Sequence, residues 1–111
     1  MSFRSKLNVD GATATIRLAG ELSSESAEQL NRLVGQAAGE PVQRLVLLMA
    51  ELTYMSSAGL RCLVFAHQKL GPDVEIVLVG ARPEIADTIK LTGLDRGVVM
   101  QDPVVPGPAD A

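Results

Sequence analysis

Apolar positions along the chain return in two rhythms. In five stretches they alternate with polar residues or run without a break, and in three they come back every three or four residues. Lys6 to Val9 alternates weakly, Asp10-Gly11 is a hairpin signal, and Ala12 to Ala19 alternates again, so the first two strands are expected to pair antiparallel. Gly20 to Ser24 reads as a loop. Ala27, Leu30, Leu33, Val34 and Ala37 then share one helical face; Ser26 with Gln29 fits a capping box, Ser24 is a rival cap, and Gly39 and Pro41 mark the end. Arg44 to Met49 is a nearly continuous apolar run. It predicts a central strand, either covered on both faces or with one face lightly covered. A second helix is expected from about Gly59 to Leu70, stopped by Gly71-Pro72. Val74 to Val79 is another strand. Pro83 opens a third helix that carries Ile85, Ala86 and Ile89 and ends at Thr92-Gly93-Leu94, and Val98 to Met100 is a last short strand. The order is β-β-α-β-α-β-α-β, an α/β layered domain in which helices cover a mixed sheet.

Asp102 to Ala111 holds three prolines and little to bury, so it is expected to be a disordered tail outside a single domain over residues 1–101. The chain has 111 residues, 47% of them apolar but only 3% aromatic, which predicts an aliphatic core. A net charge of -3 offers no basic footprint for nucleic acid. The apolar runs are far shorter than the roughly 20 residues a membrane helix needs, and the first residues lack the apolar segment of a signal peptide. One cysteine, Cys62, rules out an internal disulfide and suits a reducing compartment. A cytoplasmic protein without a membrane partner is the expectation.

Catalytic chemistry is sparsely supplied. The chain has one histidine, His67, and one cysteine, with no HExxH, no CxxC and no glycine-rich phosphate loop. On a wheel of 3.6 residues per turn, Leu60, Leu63, Val64, His67 and Leu70 form the apolar stripe of the second helix. His67 then reads as an amphipathic ring with its tip in water, and Cys62 as a packing residue. Arg61, Phe65, Gln68 and Lys69 point the other way, which makes Phe65 an exposed aromatic one turn from a pair of serines. No enzyme activity and no cofactor are expected.

Those serines lie in the most informative stretch, Thr53-Tyr54-Met55-Ser56-Ser57-Ala58-Gly59-Leu60, between the apolar strand and the second helix. A serine there caps the helix by accepting a bond from an orphan backbone N–H, and a helix start tolerates negative charge, a phosphoryl group included. Local physics alone does not separate a cap from a phosphate acceptor. The stretch Tyr54 to Leu60 resembles the signature of the STAS domain of bacterial anti-sigma factor antagonists. Leu18 to Leu22 and Leu91 to Leu94 extend that resemblance over roughly residues 5 to 101. Departures are Ser56 and Ser23, where many members have Asp, and Ala58, where Ser is frequent.

The resemblance implies a STAS-type α/β fold and a binding protein. Ser57 matches the serine that is phosphorylated in anti-sigma factor antagonists. A partner would pack on the small surface of Ser56, Ser57, Ala58 and Gly59; the wheel adds Arg61 and Phe65 to that surface, and Ser23 and Ser24 either join it, if the second strand ends beside the third, or only cap the first helix. Implied partners are an anti-sigma serine kinase, bound in the unphosphorylated state, and a metal-dependent serine phosphatase; the implied outcome is control of sigma-factor-dependent transcription. Two rival readings are a STAS scaffold or sensor module that is not phosphorylated, and a small nucleotide-binding domain.

Overall fold

The computed structural model describes residues 3–101; the tail expected from residue 102 lies outside them. Strands β1 (Phe3–Asp10) and β2 (Thr13–Leu22) are followed by helix α1 (Ser24–Ala38), strand β3 (Arg44–Met55) and helix α2 (Ser57–Leu70). Strand β4 (Glu75–Val79), helix α3 (Pro83–Leu91), a 3-10 turn at Leu94–Gly97 and strand β5 (Val99–Gln101) complete the order. The sheet runs β1-β2-β3-β4-β5. β1 and β2 pair antiparallel through a turn in which Gly11 takes φ 62, a left-handed conformation natural to glycine, and β2 to β5 are all parallel.

Parallel neighbours taken in sequence order, joined by right-handed crossovers, put every helix on the same side of the sheet. The packing agrees. Ala27, Leu30, Val34 and Ala37 of α1, Cys62, Leu63 and Ala66 of α2, and Ile85 and Ile89 of α3 join Ala14, Ile16, Leu18, Leu45, Leu47, Ile76 and Leu78 of the strands in one core. Among the described residues, the helices leave the other side of the sheet uncovered. Across it the register sets Lys6, Arg17, Leu48, Val79 and Gln101 in one row, and Asn8, Thr15, Val46, Val77 and Val99 in the next. Val77 is only 4% exposed yet stands outside the core cluster. Of the two readings for the apolar run 44–49, the strand with one lightly covered face is therefore the one found: Leu45, Leu47 and Met49 are buried, Val46 and Leu48 half-buried. Two ion pairs dress this face, Arg44–Glu75 at 2.8 Å and Arg17–Glu51 at 3.9 Å. Both are solvated and contribute little.

Gly20 to Leu22, expected in a loop, extend β2, and three further local expectations change. First, α1 begins earlier than a Ser26–Gln29 box or a Ser24 cap requires. Ser23 is the N-cap in extended backbone, its N–H donates to Ser26 Oγ at 2.8 Å, and Ser26 Oγ in turn donates to the Glu21 carbonyl at 3.1 Å. Gln29 is freed to donate to Ser5 Oγ at 2.9 Å, tying α1 to β1. Second, β3 does not stop at Met49 but runs to Met55. Third, α2 buries Gly59, Cys62, Leu63 and Ala66, whereas Val64 and His67 are exposed. The stripe has turned because α2 packs closely on its neighbours, and close approach selects small side chains over large ones. Phe65, expected in solvent, is half-buried and packs against the core.

Candidate functional site at paired helix starts

The carboxyl ends of β2 and β3 lie side by side: Leu22 pairs with Met55, and the Ser56 N–H donates to the Leu22 carbonyl at 2.9 Å. Each strand turns at once into a helix, so the first turns of α1 and α2 open at one edge of the molecule. Ser23 caps the former and Ser56 the latter; Ser56 Oγ accepts from the Gly59 N–H at 3.4 Å. Two sets of unpaired helical N–H groups, with the positive ends of two helix dipoles, thus point the same way.

Within this frame Ser57 is the first residue of α2 and is exposed. Ser24, the first residue of α1, is exposed as well, and Ser23 and Ser56 are half-buried. Cap and exposed hydroxyl are therefore separate residues: Ser56 completes the helix, and the Ser57 hydroxyl has no hydrogen-bond partner among the described residues. Arg61, one turn on, is exposed.

Two of the residues expected at the contact surface face elsewhere. Gly59 is buried, turned towards β2 and β3. A Cβ on it would come within 2.7 Å of Met55 Cγ and 3.0 Å of both Cγ and Cδ2 of Leu22. Its small size serves the packing of α2 and adds nothing to the outer surface. Phe65, half-buried, is set against the core; Ala58, also half-buried, touches the core but keeps part of its surface in solvent beside Ser57. Cys62, directly below, donates from Sγ to the Ala27 carbonyl at 3.5 Å; burial pushes its thiol up to about 11 from 9.0, so it stays a neutral packing group that bridges α2 to α1.

The aromatic at this edge is Tyr54, which periodicity did not single out. It is 51% exposed, two residues ahead of the Ser56 cap, and pairs in register with Glu21, two residues ahead of the Ser23 cap. Its exposure follows from β3 itself. Against β2, β3 carries an extra residue between Leu48 and Glu51 and another between Leu52 and Tyr54. The buried positions accordingly change from every second residue to every third: Met49, Leu52, Met55. The signal in the sequence was that Leu52 and Met55 both need burial, which no strict alternation after Met49 allows.

Comparison with known proteins agrees with this arrangement. A family model for the STAS domain matches residues 5–111. BtrV of Bordetella bronchiseptica, provisionally named an anti-sigma factor antagonist, is 34% identical over 77 residues. That match takes in 68% of this chain and 66% of BtrV, so the chain spans just under two thirds of that relative's length. The crystal structure of an anti-sigma factor antagonist from Mycobacterium paratuberculosis superimposes with a TM-score of 0.81 at 24% identity, covering 98% of this chain and 90% of that one. The phosphorylated form of SpoIIAA, a Bacillus cell fate determinant, gives 0.72 at 23% identity, covering 93% and 92%. At such identities these two structures establish the shared fold.

Proposed function

The chain belongs to the STAS domain family, and from that premise we propose that it is an anti-sigma factor antagonist switched by phosphorylation of Ser57. The observation that carries this reading is the division of labour between adjacent serines: Ser56 holds the helix start, while Ser57 stands exposed beside it. The names of BtrV and of the mycobacterial structure support the antagonist role.

In the unphosphorylated state the helix starts present small, uncharged side chains, Ser24, Ser56, Ser57 and Ala58, against which an anti-sigma serine kinase packs closely and thereby releases its sigma factor. The kinase transfers a phosphoryl group from its own ATP to the Ser57 hydroxyl. That adds roughly -1.5 to -2 charge at neutral pH. The charge sits where the α2 dipole and its free N–H groups stabilise it, so the fold persists. The partner instead meets a desolvated dianion at the contact, and binding is lost. A metal-dependent serine phosphatase restores the hydroxyl. The protein is substrate and binder in this cycle, and the chemistry belongs to its partners.

The direct test mixes the protein with candidate anti-sigma kinases and ATP and maps the modified residue by mass spectrometry. Incorporation at Ser57, abolished in Ser57→Ala, is the expected result. Equal incorporation into Ser57→Ala removes the assignment.

A further inference from the structure

We propose that Tyr54 is the aromatic anchor of the partner contact, set outward by the second bulge of β3; the proposal rests on the antagonist reading above. The side chains of a regular strand alternate in face. With Leu52 buried, an unbulged β3 would send Tyr54 into the core and Met55 to the surface. The extra residue between Leu52 and Tyr54 reverses that outcome: Met55 is buried beneath Gly59, and both Thr53 and Tyr54 are exposed. Bulges interrupt a ladder, and next to binding sites they re-aim side chains. Here Thr53 Oγ1 donates to the Gly20 carbonyl at 3.0 Å and Ser56 N–H to the Leu22 carbonyl at 2.9 Å, so the segment is held on both sides of the tyrosine while its ring is left free.

The chain has only three aromatic residues. Phe3 and Phe65 pack against the core, and Tyr54 alone stands in solvent, at 51% exposure. Tyrosine is enriched among residues whose truncation costs most at interfaces. Its ring is large and stiff, and its hydroxyl remains satisfied in a wet or polar pocket. It precedes Ser57 by three residues in the chain, and Ser56, Ser57 and Ala58 at the start of α2 are too small to supply much contact area themselves. The kind of partner surface that fits is an apolar pocket for the ring with a polar group at its floor for the hydroxyl, adjoining a flat region that meets the serines. The switch and the anchor are thereby distinct: Ser57 decides whether the surfaces meet, and Tyr54 supplies the affinity when they do.

The experiment titrates each purified anti-sigma factor encoded by the source organism with wild type, Tyr54→Ala, Tyr54→Phe, Ser57→Asp and, on the open sheet face, Val99→Ala. Tyr54→Ala is expected to weaken binding about 30-fold or more, the scale of an interface hot spot. Tyr54→Phe should lose a few-fold and Val99→Ala nothing. A second readout needs no stability-changing variant. Because Tyr54 is the sole tyrosine, 3-fluorotyrosine labelling gives one fluorine resonance, which is expected to shift on saturation with the partner. Tyr54→Ala binding within threefold of wild type while Ser57→Asp releases the partner, or a fluorine resonance unmoved in the saturated complex, overturns the anchor and leaves the antagonist reading standing. Failure of wild type to bind any of these anti-sigma factors overturns both.

Discussion

Gly59 and Met55 are so closely stacked that a single methyl group on the glycine would lie 2.7 Å from Met55 Cγ. Leu22 closes the same space from the neighbouring strand at 3.0 Å. Gly59→Ala gains helix propensity, worth up to about 1 kcal/mol, but overpacking of this kind costs about 1–3 kcal/mol. Cγ of Met55 lies too near its backbone to swing aside freely. The expected net result is a loss of about 1–2 kcal/mol in urea unfolding. The double variant with Met55→Ala should be less destabilised than the two single losses added together.

The two adjacent serines should separate in a stability measurement. Ser56→Ala removes the oxygen that accepts from the Gly59 N–H and is expected to cost about 1 kcal/mol. Ser57→Ala, exposed and not a cap, should stay within about 0.5 kcal/mol of wild type. Equal losses in the two variants would show that Ser57 has a structural duty.

A negative charge at Ser57 should be neutral to mildly stabilising for the fold, because it faces the start of α2. Ser57→Asp is therefore expected to melt within a few degrees of wild type by calorimetry while binding an anti-sigma partner at least about tenfold more weakly. A large fall in melting temperature would place the effect of the charge inside the molecule.

Cys62 gives a prediction in pH. Its folded thiol is raised to about 11 from 9.0 by burial. A raised folded value means that the stability contributed by keeping the thiol neutral is fully present below about pH 9 and is lost as pH climbs through about 11. Urea midpoints measured between pH 8 and 11 should fall more steeply for wild type than for Cys62→Ala. Thiol reagents at pH 8 should label the native protein far more slowly than the unfolded chain. Rapid labelling of the native state would contradict the burial.

The parts of the fold that were legible in the sequence are those where one period governs a whole element. Ala27, Leu30, Val34 and Ala37 kept the helical spacing of α1, and the alternation from Ala14 to Leu18 held β2 in register. The hairpin, the parallel strands and the place of α3 followed from similar cues. What escaped depended on side-chain size and on pairing between strands. A wheel through the bulkiest residues of α2 catches Leu63 but misses Gly59, Cys62 and Ala66, which are buried because the helix lies close to its neighbours. No local rule marked the two extra residues of β3, since a bulge is a relation to the partner strand β2. Ser57 was legible as a helix-start serine; the exchange of Phe65 for Tyr54 as the solvent-facing aromatic was not, because it follows from those same two features. For α1, Ser24 and Ser26 are the caps that local spacing suggests, and it is the end of β2 at Leu22 that makes Ser23 the cap.

The side of the sheet turned away from the helices has a practical corollary for whoever handles this protein. Lys6 and Arg17 lie there, across the sheet from all three helices, so a surface, dye or fusion attached through Lys6 leaves the serine-bearing edge unhindered. Coupling through Lys69 of α2, by contrast, turns the helical side of the molecule towards the support.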